Sequence, residues 1–240
     1  VRVAGSARHP SLCAATGELA LAADDTGDYE IYKTDSEGRR RVRLTWHPGR
    51  DTHPTWSPDG QWIAFATTRW GAEEIALMRS DGSGLRRLTV DQLVARTPSW
   101  SPTGEGIAFE SYRDGLAGLY LMDPEAGQTR RLAWLEGPQV SAAWSPDGRR
   151  LVYQSRNGAR RWLALIDLQG CEPRPLGGTD LARYPAWSPD GQEIMYLAPG
   201  PDGKEALFRL PAAGGAPRLF LSSGQERAVD LVWQRRPLPW

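Results

Sequence analysis

Trp56-Ser57-Pro58-Asp59-Gly60 decides the fold, because it returns as Trp100-Ser101-Pro102-Thr103-Gly104, Trp144-Ser145-Pro146-Asp147-Gly148 and Trp187-Ser188-Pro189-Asp190-Gly191. The interval is 43 or 44 residues. Within each copy, Ser at the first corner, Pro with its fixed φ at the second and Gly at the fourth write a type I turn. Short strands and turns repeating at this period are the signature of a β-propeller.

Working outward from Trp56, Pro54-Thr55-Trp56 reads as an inner strand and Gln61 to Thr67 as a second, with the apolar run Trp62-Ile63-Ala64-Phe65-Ala66 suited to burial on both faces. A polar loop, Thr68 to Glu73, leads to a third strand, Glu74 to Arg79. Leu85-Arg86-Arg87-Leu88-Thr89 completes the sheet as an outer strand whose arginines blunt its free edge. The first repeat is degenerate, with Cys13 read at the Trp position, and Val229-Asp230-Leu231-Val232-Trp233 reads as a closing strand. The expected fold is therefore all-β, a five-bladed β-propeller of four-stranded antiparallel blades in one domain. The blades are expected near 10–53, 54–97, 98–141, 142–184 and 185–228, with a closing strand at 229–234. Six blades are the alternative.

Lys plus Arg equals Asp plus Glu at 29 each, so no global field favours nucleic acid or an acidic membrane. No apolar run approaches the length of a membrane span. Cys13 and Cys171 fall in different repeats and read as two free thiols. The chain does not begin with Met, which leaves room for a preceding segment and leaves the compartment open.

The repeats resemble the TolB-type propeller repeat, Pro-x-Trp-Ser-Pro-Asp-Gly, then Ile-Ala-Phe, a Ser-Arg-Asp-Gly-like loop, Ile-Tyr and Leu-Thr. The match is clear at Pro54 to Thr89 and Pro98 to Leu132, where Ser111-Tyr112-Arg113-Asp114-Gly115 echoes the loop. The resemblance spans residues 10 to 234 and implies a propeller that binds protein partners, with a periplasmic or extracellular setting slightly favoured. Related propellers occur in prolyl-oligopeptidase-like peptidases and oligogalacturonate lyases. No Gly-x-Ser-x-Gly elbow is present.

Each blade end that carries Ser-Pro-Asp-Gly is uniform, whereas the opposite end, with the second-to-third-strand loops and blade crossings, varies. Recognition residues sit on variable loops held by a rigid frame. Counting back from each anchor, Arg96, Arg183, His53 and Tyr184 form a cationic, hydrogen-bonding rim suited to a carboxylate or an acidic peptide. Pairing of these arginines with Asp51, Asp180 or Asp230 is the plainer alternative. Trp46, Trp70 and Trp134 lie outside the anchor positions and read as apolar contacts, or as lids on blade packing. The expectation is a non-catalytic protein that binds a protein or peptide, acidic chains included, as a monomer, with no cofactor, no metal, no nucleic acid and no membrane insertion. Two alternatives stand beside it: a metal-dependent lyase or hydrolase of acidic sugars built on His9, His47 and His53, and a docking or sensor module of a longer protein.

Overall fold

In the computed structural model, residues 7–25, 27–90, 93–132, 137–170 and 172–222 are described. Their strands form five four-stranded antiparallel sheets, the blades of a five-bladed β-propeller, each in chain order from inner to outer strand. The chain divides into two compact units, Val1–Arg131 and Leu132–Trp240.

The first unit holds three blades. They comprise β1 Arg8–Leu12, β2 Leu19–Ala23, β3 Glu30–Thr34 and β4 Val42–Arg43; β5 Asp51–Trp56, β6 Trp62–Trp70, β7 Ala72–Arg79 and β8 Arg86–Arg87; and β9 Ala95–Trp100, β10 Ile107–Ser111, β11 Gly118–Met122 and β12 Thr129–Arg131. The second unit holds two, β13 Gln139–Trp144, β14 Arg150–Asn157, β15 Arg160–Asp167 and β16 Arg174–Pro175, then β17 Arg183–Trp187, β18 Glu193–Pro199, β19 Glu205–Pro211 and β20 Arg218–Ser222. The segment 229–234, Cys171 and Trp134 lie outside the described residues. Cys13 is a free, buried thiol.

The core lies between successive sheets. Cys13, Ile31, Trp56, Ile63, Phe65 and Met78 pack the first blade on the second, and Val152, Leu165, Trp187, Ile194 and Tyr196 pack the fourth on the fifth. This is why the second strands are apolar on both faces. Trp56 and Trp187 are buried, and the Trp187 indole N–H donates to the Ala143 carbonyl of the preceding blade at 3.1 Å.

The recurring turn closes as the sequence predicts. Gly60, Gly104, Gly148 and Gly191 each donate their N–H to the Ser three residues earlier, at 2.9–3.0 Å. Ser57 Oγ donates to Asp59 Oδ1 at 2.5 Å and accepts from the Trp62 N–H at 2.9 Å, while Asp59 also accepts from the Gln61 N–H. Those bonds hold the Asp59 carboxyl below its usual pKa, the Ser57 hydroxyl contributing most. Gly60 sits at φ +72°, and a Cβ there would stand 2.9 Å from Cys13 Sγ, so the turn needs glycine for both conformation and space.

Three strand readings change. The second and third strands of blade 2 run on to Trp70 and start at Ala72, turning through Thr68-Arg69-Trp70-Gly71 instead of a six-residue loop, because they keep pairing to Trp70↔Ala72. The inner strands start about three residues earlier than read, β5 at Asp51 for instance, because pairing continues past a bulge. The first repeat is also offset by one. Leu12 faces Leu19 as Trp56 faces Ile63, and the Cys13 N–H bonds the Glu18 carbonyl as that of Ser57 bonds Trp62. Cys13 thus occupies the serine position and Leu12 the anchor, so the rim residues of this blade are Arg8 and His9, one residue before those counted from Cys13.

The outer-strand arginines do more than blunt an edge. Arg86 donates to the Pro124 carbonyl of the next blade at 2.6 Å, and Arg174 to the Ala212 carbonyl at 3.2 Å. A guanidinium at this position latches one blade's edge to its neighbour's turn.

Candidate functional site at the crossing ends of the blades

Every inner strand contains the same bulge. In it two residues oppose one large residue of the second strand: His9-Pro10 opposite Leu21, His53-Pro54 opposite Phe65, Thr97-Pro98 opposite Phe109, Ser141-Ala142 opposite Tyr153, and Tyr184-Pro185 opposite Tyr196. The first residue of each pair is left-handed, with φ between 51° and 54°. The second is proline in four of five, a residue with no N–H to leave unpaired where the ladder is broken. A non-glycine residue held at positive φ costs about 1 kcal/mol or more, and glycine or asparagine would avoid much of that cost. The chain places His, His, Thr, Ser and Tyr there instead, all able to hydrogen-bond.

In the first unit the bulges bring His9 and His53 face to face, with ring centroids 3.6 Å apart and planes 24° from parallel. His53 Nδ1 lies 3.1 Å from Thr52 Oγ1. Burial, reinforced by the His9 ring and the Arg96 and Arg50 guanidiniums, pushes the His53 pKa down to about 3, so its imidazole is neutral at pH 7. Next to Thr97, Arg96 donates from Nε to Glu110 Oε2 at 3.2 Å and from a terminal nitrogen to the Tyr112 hydroxyl at 3.2 Å. Its side chain remains 37% exposed.

In the second unit Arg183 pairs with Glu205 at 2.6 Å and stays 36% exposed, and Tyr184 is 39% exposed at the bulge. The rim arginines are therefore paired, though with carboxylates of their own blades' second and third strands and not with Asp51 or Asp180. Asp51 is fully buried against Arg69 at 2.6 Å, its carboxyl raised mainly by burial, and Asp180 pairs with Arg160 at 3.6 Å. Asp230 lies outside the described residues.

The tryptophans separate. Trp46 is 70% exposed, with the Arg43 guanidinium 5.7 Å from its ring centroid. Trp70 is half-buried, packs on the core between the first two blades, and has Arg87 and Arg69 against it at 5.1 and 5.7 Å.

The three histidines do not converge. His47 Nδ1 accepts the Gly49 N–H at 2.9 Å, and among the described residues no group of three or more His, Cys, Asp or Glu side chains is placed to hold a metal.

One polar assembly escaped the sequence reading. Glu30, buried on the third strand, accepts from Arg43 at 2.8 Å, from the His47 N–H at 2.9 Å and from the Thr45 hydroxyl. Glu74, Arg87 and Thr89 repeat it one blade on, with Arg87 at 2.7 Å from Glu74. In both, the threonine hydroxyl also accepts a third-strand N–H, from Ile31 or Ile75, at 2.9 Å. The signal was in the period, since Glu30 and Glu74, Arg43 and Arg87, and Thr45 and Thr89 are each 44 residues apart. These triads fasten the outer strand where the crossing departs, and so fix the frame of the variable end.

Among known proteins, residues 1–92 and 68–234 match the TolB beta propeller domain. A protein TolB homolog of Chlorobium chlorochromatii (strain CaD3) is 46% identical over 52 residues, 22% of this chain and 12% of that protein's length. The crystal structure of TolB from Acinetobacter baumannii superposes with a TM-score of 0.80 at 23% identity, covering 94% of this chain and 56% of that one. A puromycin-hydrolyzing peptidase of Mycobacterium tuberculosis superposes at 0.71 and 18% identity, covering 89% of this chain and 37% of its own. At such identities the two superpositions establish a shared fold, and that fold serves more than one activity. With the repeated turn, the five four-stranded blades and the domain match together, the chain belongs to the TolB β-propeller domain family.

Proposed function

We propose that this chain is a non-catalytic propeller, folding as a single domain of five blades, that binds a protein or peptide through the crossing ends of its blades. One observation carries the reading. The same strained bulge carries a hydrogen-bonding side chain in every blade, of four kinds among the five, where packing alone would be served as well by glycine. Backbone strain kept at equivalent points while side chains vary suits a surface whose side chains are read by something else. Arg96 and Arg183, each about a third exposed, add cationic donors, and Trp46 adds an apolar contact of the kind that dominates protein interfaces. TolB from Acinetobacter baumannii shares this fold, which agrees with the reading at the level of family.

Affinity capture from the native lysate with the intact chain and an Arg96→Glu, Arg183→Glu variant tests it. A protein retained by the first and lost from the second is expected. Identical retention by both, or none by either, would remove the rim from the proposal.

A further inference from the structure

At the crossing end of the first two blades three carboxylates point inward, while Asp25 and Asp28 of the first blade stay exposed and Asp25 pairs with Arg41. Glu30, Asp51 and Glu74 are at most 1% exposed, and each is bound by an arginine, Arg43, Arg69 or Arg87. Two other arginines behave differently. Arg8 and Arg50 are exposed and make no ion pair among the described residues, and both lie against one ring, with guanidinium carbons 5.6 and 5.5 Å from the Tyr29 centroid. Glu73 is within electrostatic reach of Arg50 but is not ion-paired to it. Tyr29 is half-buried and anchored by its backbone, its carbonyl accepting the Asp51 N–H at 2.7 Å.

Trp46 and Arg50 begin and end one crossing. Gly49 is pinned within it by the His47 imidazole at 2.9 Å, and the Arg50 N–H by Thr68 Oγ1 at 2.8 Å. Four residue steps separate Trp46 from Arg50, so their Cα atoms lie at most about 14 Å apart. That matches an extended peptide of four or five residues.

We propose that the 46–50 crossing, together with Arg8 and Tyr29, is a docking surface for an extended acidic segment of a protein partner that carries one large apolar side chain. Its carboxylate is held by Arg8 and Arg50 and its apolar group rests on Trp46. This inference rests on the partner-binding reading above and names the partner's chemistry. Charge complementarity selects the occupant: Glu30, Asp51 and Glu74 are buried and paired with other arginines, which leaves Arg8 and Arg50 as two exposed cations beside one exposed acid, Asp28, and the part-buried Glu73. Cation–π contact with Tyr29 biases both guanidiniums toward one place before the ligand arrives, which reduces the ordering cost of a forked contact to carboxylate.

The test is fluorescence anisotropy with two labelled peptides of about ten residues built from Gly and Ser around one Phe, one bearing three Glu and the other three Gln. The Glu peptide should bind at low salt, and the Gln peptide about tenfold more weakly or worse. Arg8→Gln with Arg50→Gln should cost a similar factor, and Trp46→Ser about fivefold, with the melting temperature unchanged in both. Equal binding of the two peptides, no binding of either, or undiminished binding by the arginine variant would overturn the proposal. So would equal or stronger recruitment to phosphatidylserine vesicles, which would assign the arginines to a lipid surface. Lysate capture separates this failure from that of the wider reading. A partner kept by the Arg8→Gln, Arg50→Gln variant but lost from Arg96→Glu, Arg183→Glu sinks the docking surface alone, whereas a wild-type bait that retains nothing sinks both.

Discussion

The two ends of each blade are built from equally repetitive backbone and use their side chains in opposite ways. At one end the Ser-Pro-Asp-Gly turn consumes its own polar groups: Ser57, Ser145 and Ser188 each bind the aspartate two residues on and an N–H five residues on. Little is left for a partner. At the other end the bulge repeats with equal fidelity, but its side chains run His, His, Thr, Ser and Tyr. A repeat whose side chains satisfy one another is held to one sequence, and a repeat that keeps only its backbone lets the side chains differ from blade to blade.

The largest test of this contrast compares two tryptophans. Trp187→Ala removes a buried ring and its bond to Ala143, and should cost about 3–5 kcal/mol in denaturant unfolding. Trp46→Ala, at the other end of a blade, should change stability by no more than about 0.5 kcal/mol and show its effect in partner capture.

A second test uses acid. The folded His53 pKa lies well below the unfolded value, so between about pH 6.5 and pH 3 the unfolded chain binds a proton that the folded chain does not. Stability should therefore fall as pH drops through that window. A His53→Thr variant should show a shallower slope of melting temperature against pH; the same slope in both proteins would mean the imidazole titrates as in the unfolded chain.

Smaller effects probe the backbone. Tyr184→Gly relaxes a left-handed residue that is 39% exposed and should raise stability by about 1 kcal/mol while weakening capture. A loss of stability would show that the tyrosine ring is structural. Thr103 stands where three other turns carry Asp, its hydroxyl 2.9 Å from Ser101 Oγ. Thr103→Asp should replace that hydroxyl by a charged and therefore stronger acceptor for Ser101 Oγ and add about 0.5 kcal/mol, read as a higher unfolding midpoint.

Much of this was legible beforehand because period and turn chemistry are local. Trp-Ser-Pro-Asp-Gly prescribes a hairpin whatever surrounds it, and apolar runs such as Ile63 to Ala66 prescribe strands buried on both faces. The offset in the first repeat was harder to see. Cys13 and Leu12 are both apolar and adjacent, and only the pairing of Leu12 with Leu19 decides which is the anchor. The Arg8, Tyr29 and Arg50 cluster was not legible at all, since three residues spread over 42 positions meet only because the first inner strand, a second-to-third-strand loop and a crossing end at one place.

By itself the sequence determined the repeat, the Ser-Pro-x-Gly turn in its four clear copies and the end of the blade at which the sequence varies, because all of these follow from residues close together in the chain. Only the tertiary structure decided for five blades against six, which carboxylates are buried and paired, which arginines remain exposed, and that His53 and Tyr184 are left-handed residues of a bulge. Those properties depend on what a neighbouring strand or blade places opposite each residue, and side-chain burial and charge are set by that company.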